Sequence, residues 1–312
     1  MQAQFALSNP LSAGTTTDSQ AAMRSEEGYI PAPGGRVWFR IVGSSGNGIP
    51  LLILHGGPGA THDYLTSLES LAGDRSVVFY DQLGSGRADR PDDPALWCMQ
   101  RSLEELETVR KALGLARVHL FGHSWGGWLA IEYVLSRGHG VAALVLASTS
   151  ASVGEFVREV GPLVENLPPE MRDTLRRHTP TSASDAPAYQ AAVLAFLRRH
   201  LCRLDPWPEA LVRSDPSNNP VYATMWGPNE FTATGNLRAW DRSPDLRAIS
   251  IPTLVTCGRH DEVTPTCAET LARGIGDSVL RIFERSAHMA HLEEPEEYAR
   301  VVAEFLARVD TA

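Results

Sequence analysis

An α/β fold with a mostly parallel central sheet flanked by helices is predicted by three features of the 312-residue sequence. Short, continuously apolar runs recur at 51–54, 76–80, 118–121 and 143–147, the pattern of strands covered on both faces. Segments of helical period at 102–113 and 126–137 separate the last three of these runs, so strand and helix alternate as parallel crossovers require. Strand character then vanishes between about 150 and 241 and returns at 253–257 and 279–283, which marks an inserted helical subdomain.

Taken in order, residues 1–25 are rich in Ser, Thr, Gln and Ala and read as a flexible tail, with Met23 as an alternative start. Residues 36–42 form a strand that the turn-forming stretch 43–50 joins to 51–54 as a hairpin. In the helix at 102–113, Leu103, Leu106, Val109 and Leu113 share one face. Ser102 with Glu105 reads as a capping box, and Gly114 stops the helix. The insertion carries many prolines and tryptophans and a helical patch at 188–201, and Pro295 opens a closing amphipathic helix to 309. The expected division is a core of 26–149 and 242–312 and a cap of 150–241.

With 28 basic and 37 acidic residues the formal charge is −9, the wrong sign for gripping a nucleic-acid backbone or an anionic membrane. No apolar run approaches the roughly 18–20 residues of a membrane span. The four cysteines, Cys98, Cys202, Cys257 and Cys267, are scattered without a CxxC pair. Free thiols and a cytoplasmic location are the expectation. Oligomeric state has no signature here.

The chemistry is written in three loops. Gly122-His123-Ser124-Trp125-Gly126 is a GxSxG pattern set between a predicted strand and a predicted helix, the context of a nucleophile raised on a sharp turn at a helix N-terminus. A serine hydroxyl needs a base and an oriented acid. Asp261 follows the strand 253–257 and His288 follows 279–283, which gives the order Ser, Asp, His of an α/β-hydrolase fold. Asp245 precedes its strand and His291 lies three residues beyond His288, so both are weaker candidates. The pairs His288/His291 and His119/His123 lack a third ligand and an HExxH pattern, so no metal is expected.

After the strand 51–54 comes His55-Gly56-Gly57-Pro58-Gly59. Its amides are suited to stabilising an oxyanion together with the amide after the nucleophile, which makes Gly57 and Trp125 the predicted oxyanion hole. The loop lacks the Lys and Ser/Thr of a phosphate cradle, and Gly84-Ser85-Gly86 lacks the third glycine of a dinucleotide fingerprint. No cofactor is expected.

These loops, with Asp81-Gln82-Leu83-Gly84-Ser85-Gly86-Arg87, Met225-Trp226-Gly227-Pro228-Asn229-Glu230-Phe231 and Asp261-Glu262-Val263-Thr264-Pro265, resemble those of proline iminopeptidases, from about Gly28 to the C-terminus. The branch with tricorn-interacting aminopeptidases and amino acid amidases is the most similar. The resemblance implies an α/β-hydrolase core with a helical cap and a serine exopeptidase acting on short peptides or aminoacyl amides with a free N-terminus. It also implies that Glu230 and Glu262 bind the substrate amino group, and a protonated amine entering a dry cleft does call for anionic acceptors. Trp125, Trp128, Trp226 and Phe231 are candidates for apolar walls or for core. The competing readings are a carboxylesterase or other acyl hydrolase on the same triad, and a ligand receptor retaining the fold.

Overall fold

The computed structural model describes residues 25–43, 48–177 and 187–311. Its sheet has eight strands in the order β1-β2-β4-β3-β5-β6-β7-β8. These are β1 (Ser25–Ala32), β2 (Gly35–Val42), β3 (Leu51–Leu54), β4 (Val77–Asp81), β5 (Val118–His123), β6 (Val141–Ala147), β7 (Thr253–Gly258) and β8 (Ser278–Phe283). The pairs β1/β2 and β2/β4 are antiparallel and all the others parallel.

The hairpin is not the one the sequence suggested. Strand β2 turns back on β1 through Pro33 and Gly34, the latter at φ 93°, while β3 crosses over to lie between β4 and β5. All four residues of β3 are buried, so it needs neighbours on both sides. The edge is left to β1, whose Ser25, Glu26 and Glu27 tolerate solvent. With Gly and Pro in it, β1 carries no apolar run to betray it. The expected tail 1–25 lies outside the described residues except for Ser25, which opens β1.

Alternation along the buried strands splits the core in two. Leu52, Leu54, Leu120, Leu144 and Leu146 point to the face covered by α1 (Met99–Ala112), α2 (Trp125–Arg137) and α8 (Pro265–Gly274). Leu51, Ile53, Phe121 and Val145 point to the other, packed by 63–73 and by α10 (Pro295–Asp310), which follows the short α9 (Ala290–Glu293). Helix α1 begins three residues earlier than expected, with Cys98 as its cap, so Ser102 and Glu105 form no capping box. Ser102 Oγ donates to the Cys98 carbonyl (3.2 Å), and Glu105 turns inward to accept from the Leu83 amide (3.0 Å) and Arg101. A buried ion pair and a loop amide outcompete the cap.

Among the described residues between β6 and β7 lie the helices α3 (Val153–Glu165), α4 (Pro169–Arg177), α5 (Pro187–His200), α6 (Glu209–Arg213) and α7 (Pro220–Met225). No described helix is long and apolar enough to cross a membrane.

Candidate active site

Strand β5 ends in a turn that a normal residue resists. Ser124 has φ 54° and ψ −120°, a conformation that costs on the order of 1–3 kcal/mol and persists only where its surroundings over-determine it. They do: its amide donates to Ala147 O (2.9 Å), and its carbonyl accepts from the Gly127 amide (2.8 Å) and Thr149 Oγ1 (2.9 Å). Glycine at 122 and 126 is compulsory, since a Cβ there would sit 2.4 Å from Gly126 O and 2.1 Å from Leu54 O respectively. The turn delivers Ser124, half-buried, to the N-terminus of α2 and to the wall of a cavity of about 430 Å³.

The loops after β7 and β8 meet beside it. Asp261 is buried, accepts the Val263 amide at Oδ1 (2.9 Å) and takes the His288 Nδ1–H on the same oxygen (2.7 Å). His288 is thereby fixed with Nε2 as its free basic nitrogen. Burial disfavours its charge, but Asp261, by charge and hydrogen bond, with Glu230 and Glu293, outweighs burial and holds the imidazole above its ordinary value. The α5 terminus ties the two loops together, because His200 O accepts the amides of both Glu262 (3.1 Å) and His288 (3.2 Å).

Gly57 lines the cavity with Ser124, at φ 107°. Trp125 heads α2, and its buried indole Nε1 donates to Gln82 Oε1 (2.9 Å). Gln82 in turn clasps His55, accepting nothing from it but donating its own amide to Nε2 (3.0 Å) and its side-chain nitrogen to the carbonyl (3.0 Å). The two loops that bear Gly57 and Trp125 are thus cross-linked behind the cavity.

Glu262 is buried, with Oε1 3.9 Å from His288 Nε2 and with Oε2 lacking any partner. Glu230 lines the cavity beside Tyr222. Burial, then Glu230 and Asp261, push the Glu262 carboxyl well above the usual carboxylate range. Burial likewise raises Glu230, against the opposing pull of His288 and Tyr222. Two carboxyls close enough for the charge of Glu230 to raise Glu262 favour holding a proton, and a cation entering beside them removes that need.

Other candidates fall away. Asp245 pairs with Arg242 at the surface (3.2 Å). His291 donates to Tyr64 O (3.1 Å), and burial lowers its pKa to about 3. His119 is engaged by Asp310 (2.9 Å). Trp125, Trp128 and Trp226 are buried in mutual ring contacts, and Phe231 packs edge-on against Phe196. All four are core packing, and the apolar cavity wall comes from 193–212.

Sequence reasoning missed Tyr64 and His123. The Gly56 amide donates to Tyr64 Oη (2.8 Å), Tyr64 donates to His123 Nδ1 (2.9 Å), and His123 Nε2–H donates to the His288 carbonyl (3.0 Å). The relay runs one way only if His123 stays neutral, and burial, then His288 and His291, hold its pKa far down. Position 123, inside the GxSxG pattern, was the only signal available. Tyr64→Phe is expected to lower stability by about 1–3 kcal/mol through two orphaned groups and to reduce kcat with KM little changed, because the 55–59 loop slackens. Thermal unfolding beside steady-state kinetics checks both; a stability loss with kcat intact would make Tyr64 purely structural.

The chain matches the alpha/beta hydrolase fold family model over residues 49–295. It is 41% identical over 282 residues to a proline iminopeptidase of Heyndrickxia coagulans, covering 90% of this chain and 98% of that protein. The crystal structure of VinJ superposes with a TM-score of 0.87 at 38% identity, over 91% of this chain and 99% of the other. That of the proline iminopeptidase of Mycobacterium smegmatis gives 0.85 at 34% identity, over 92% and 99%. Identity at this level across nearly the whole length of each partner, helical insertion included, shows the family, and the chain belongs to the proline iminopeptidase family of α/β hydrolases.

Proposed function

We propose that this protein is a serine exopeptidase that releases an N-terminal residue, preferably proline, from short peptides or amino acid amides through an acyl-enzyme. The observation that carries this reading is the pair of carboxyls, the buried Glu262 and the half-buried Glu230, set against the base of a Ser-His-Asp array. A generic esterase has no use for buried anions beside its base, and their desolvation is costly unless a substrate cation offsets it.

In this mechanism the substrate ammonium sits between Glu230 and Glu262. Ser124 Oγ attacks the carbonyl carbon while His288 Nε2 takes its proton, and Asp261 stabilises the imidazolium that forms. The amides of Gly57 and Trp125 hold the oxyanion. His288 then protonates the leaving amine, the C–N bond breaks, and water activated by the same imidazole hydrolyses the ester. The carboxylates would fix the amino end one residue from the scissile bond, and residues of α5, α6 and α7 line the same cavity, an arrangement that disfavours internal cleavage and folded proteins. The free thiols among the described residues, three of them buried, support a reducing compartment, the cytoplasm.

Matched prolyl and N-acetylprolyl amides test the reading. Turnover should be confined to the free amine, whereas equal kcat/KM on both would return the protein to the wider class of acyl hydrolases.

A further inference from the structure

The cavity has two unlike ends. Toward one lies Glu230, with Glu262, only 2% exposed, behind the lining and 3.9 Å from His288 Nε2. Toward the other, α5 and α6 present Leu194 and Val212, which are 41% and 57% exposed and are two of the five exposed large hydrophobics among the described residues. Between them the wall is Val193, Leu197, Leu201, Trp207 and Leu211. Exposed lining residues mark where the cavity opens, so a substrate held by its amine at the closed end directs its departing half outward past Leu194 and Val212. A volume of about 430 Å³ exceeds the needs of one prolyl unit and leaves room for that half.

Charge decides what the departing half can be. No Lys or Arg is among the described residues lining the cavity. The exposed carboxylate on the lining is Asp215, which accepts the Ser217 amide (2.9 Å) and Oγ (3.0 Å) and lies near enough to Glu230 for its charge to raise that carboxyl. A free dipeptide would bring its carboxylate one residue beyond the scissile bond, against leucines and toward Asp215. There it would lose hydration without gaining a partner and would meet a like charge.

We infer that the leaving group is apolar and uncharged, so that the enzyme acts on amides of apolar amines and on peptides whose second residue is apolar and carries no free carboxylate; this rests on the reading of Ser124, Glu230 and Glu262 given above. Leu194, Val212 and Asp215 are then specificity-determining residues.

Steady-state kcat/KM on Pro-Leu-NH2, Pro-Leu with a free carboxylate and Pro-Gly-NH2 provides the test, with an expected advantage of Pro-Leu-NH2 over each of the others of roughly fivefold or more. A smaller advantage over either overturns the inference. Asp215→Lys, a surface change that spares the fold, should shrink the amide-to-acid ratio at least about threefold by offering the carboxylate a partner. An unchanged ratio would mean that the departing half takes another route and would equally overturn it. Absence of turnover on all three, in protein whose Ser124 still reacts with a fluorophosphonate, would instead show that the aminopeptidase reading is the part in error, and this inference would fall with it.

Discussion

Ser124→Ala is expected to abolish turnover of prolyl amides, a loss on the order of 10⁴-fold to 10⁶-fold in kcat, while the protein stays folded. The hydroxyl makes no packing contact that the fold needs; the strained turn is held through backbone groups and Thr149, all of which survive the substitution. Asp261→Asn and His288→Ala should each cost several orders of magnitude. Their combination should be little worse than the poorer single variant, because an unoriented base and an absent base leave the same unactivated serine. Single-turnover kinetics on folded protein measures this. Losses that multiply would mean that Asp261 and His288 act on separate steps, and appreciable residual kcat in Ser124→Ala would end the acyl-enzyme mechanism.

The second large effect concerns the glutamates. Glu230→Gln and Glu262→Gln should each lose about 2–4 kcal/mol in kcat/KM on free-amine prolyl substrates, which is roughly 30-fold to 1000-fold. Acyl substrates without an amine should lose little or gain, since they bring no charge to be paired. Equal losses on both would reduce the pair to structural residues. Stability offers an independent readout of opposite sign. A carboxyl whose pKa is raised by folding imposes little penalty below its unfolded value, and a growing one as pH rises through and above that value. Glu262 is such a group, raised by burial, then by Glu230 and Asp261. Glu262→Gln should therefore raise the unfolding midpoint, and more at pH 8 than at pH 5. On the proposed function the residue would cost stability and support binding, the trade expected of a site built for a ligand cation.

Local pattern was enough for the parts that local physics fixes. Continuous apolar runs identified the parallel strands because a strand covered on both faces has no polar position to spare, and glycines two before and two after Ser124 identified the turn because no larger residue fits at 122 or 126. The order of Ser124, Asp261 and His288 followed from each lying just past a strand, since in parallel sheets such loops gather at one edge. What the sequence could not determine depends on partners distant along the chain. The position of β3 was settled by burial on both sides, and the edge role of β1 by its pairing with β2. The inward turn of Glu105 depended on the Leu83 amide. Only the folded molecule sets Tyr64 and His123 between the 55–59 loop and the His288 backbone, and only it brings the end of α5 to the amides of Glu262 and His288. A hydrogen bond between groups 59 to 165 residues apart leaves no periodicity in the sequence, because its geometry is created by the packing of everything between them.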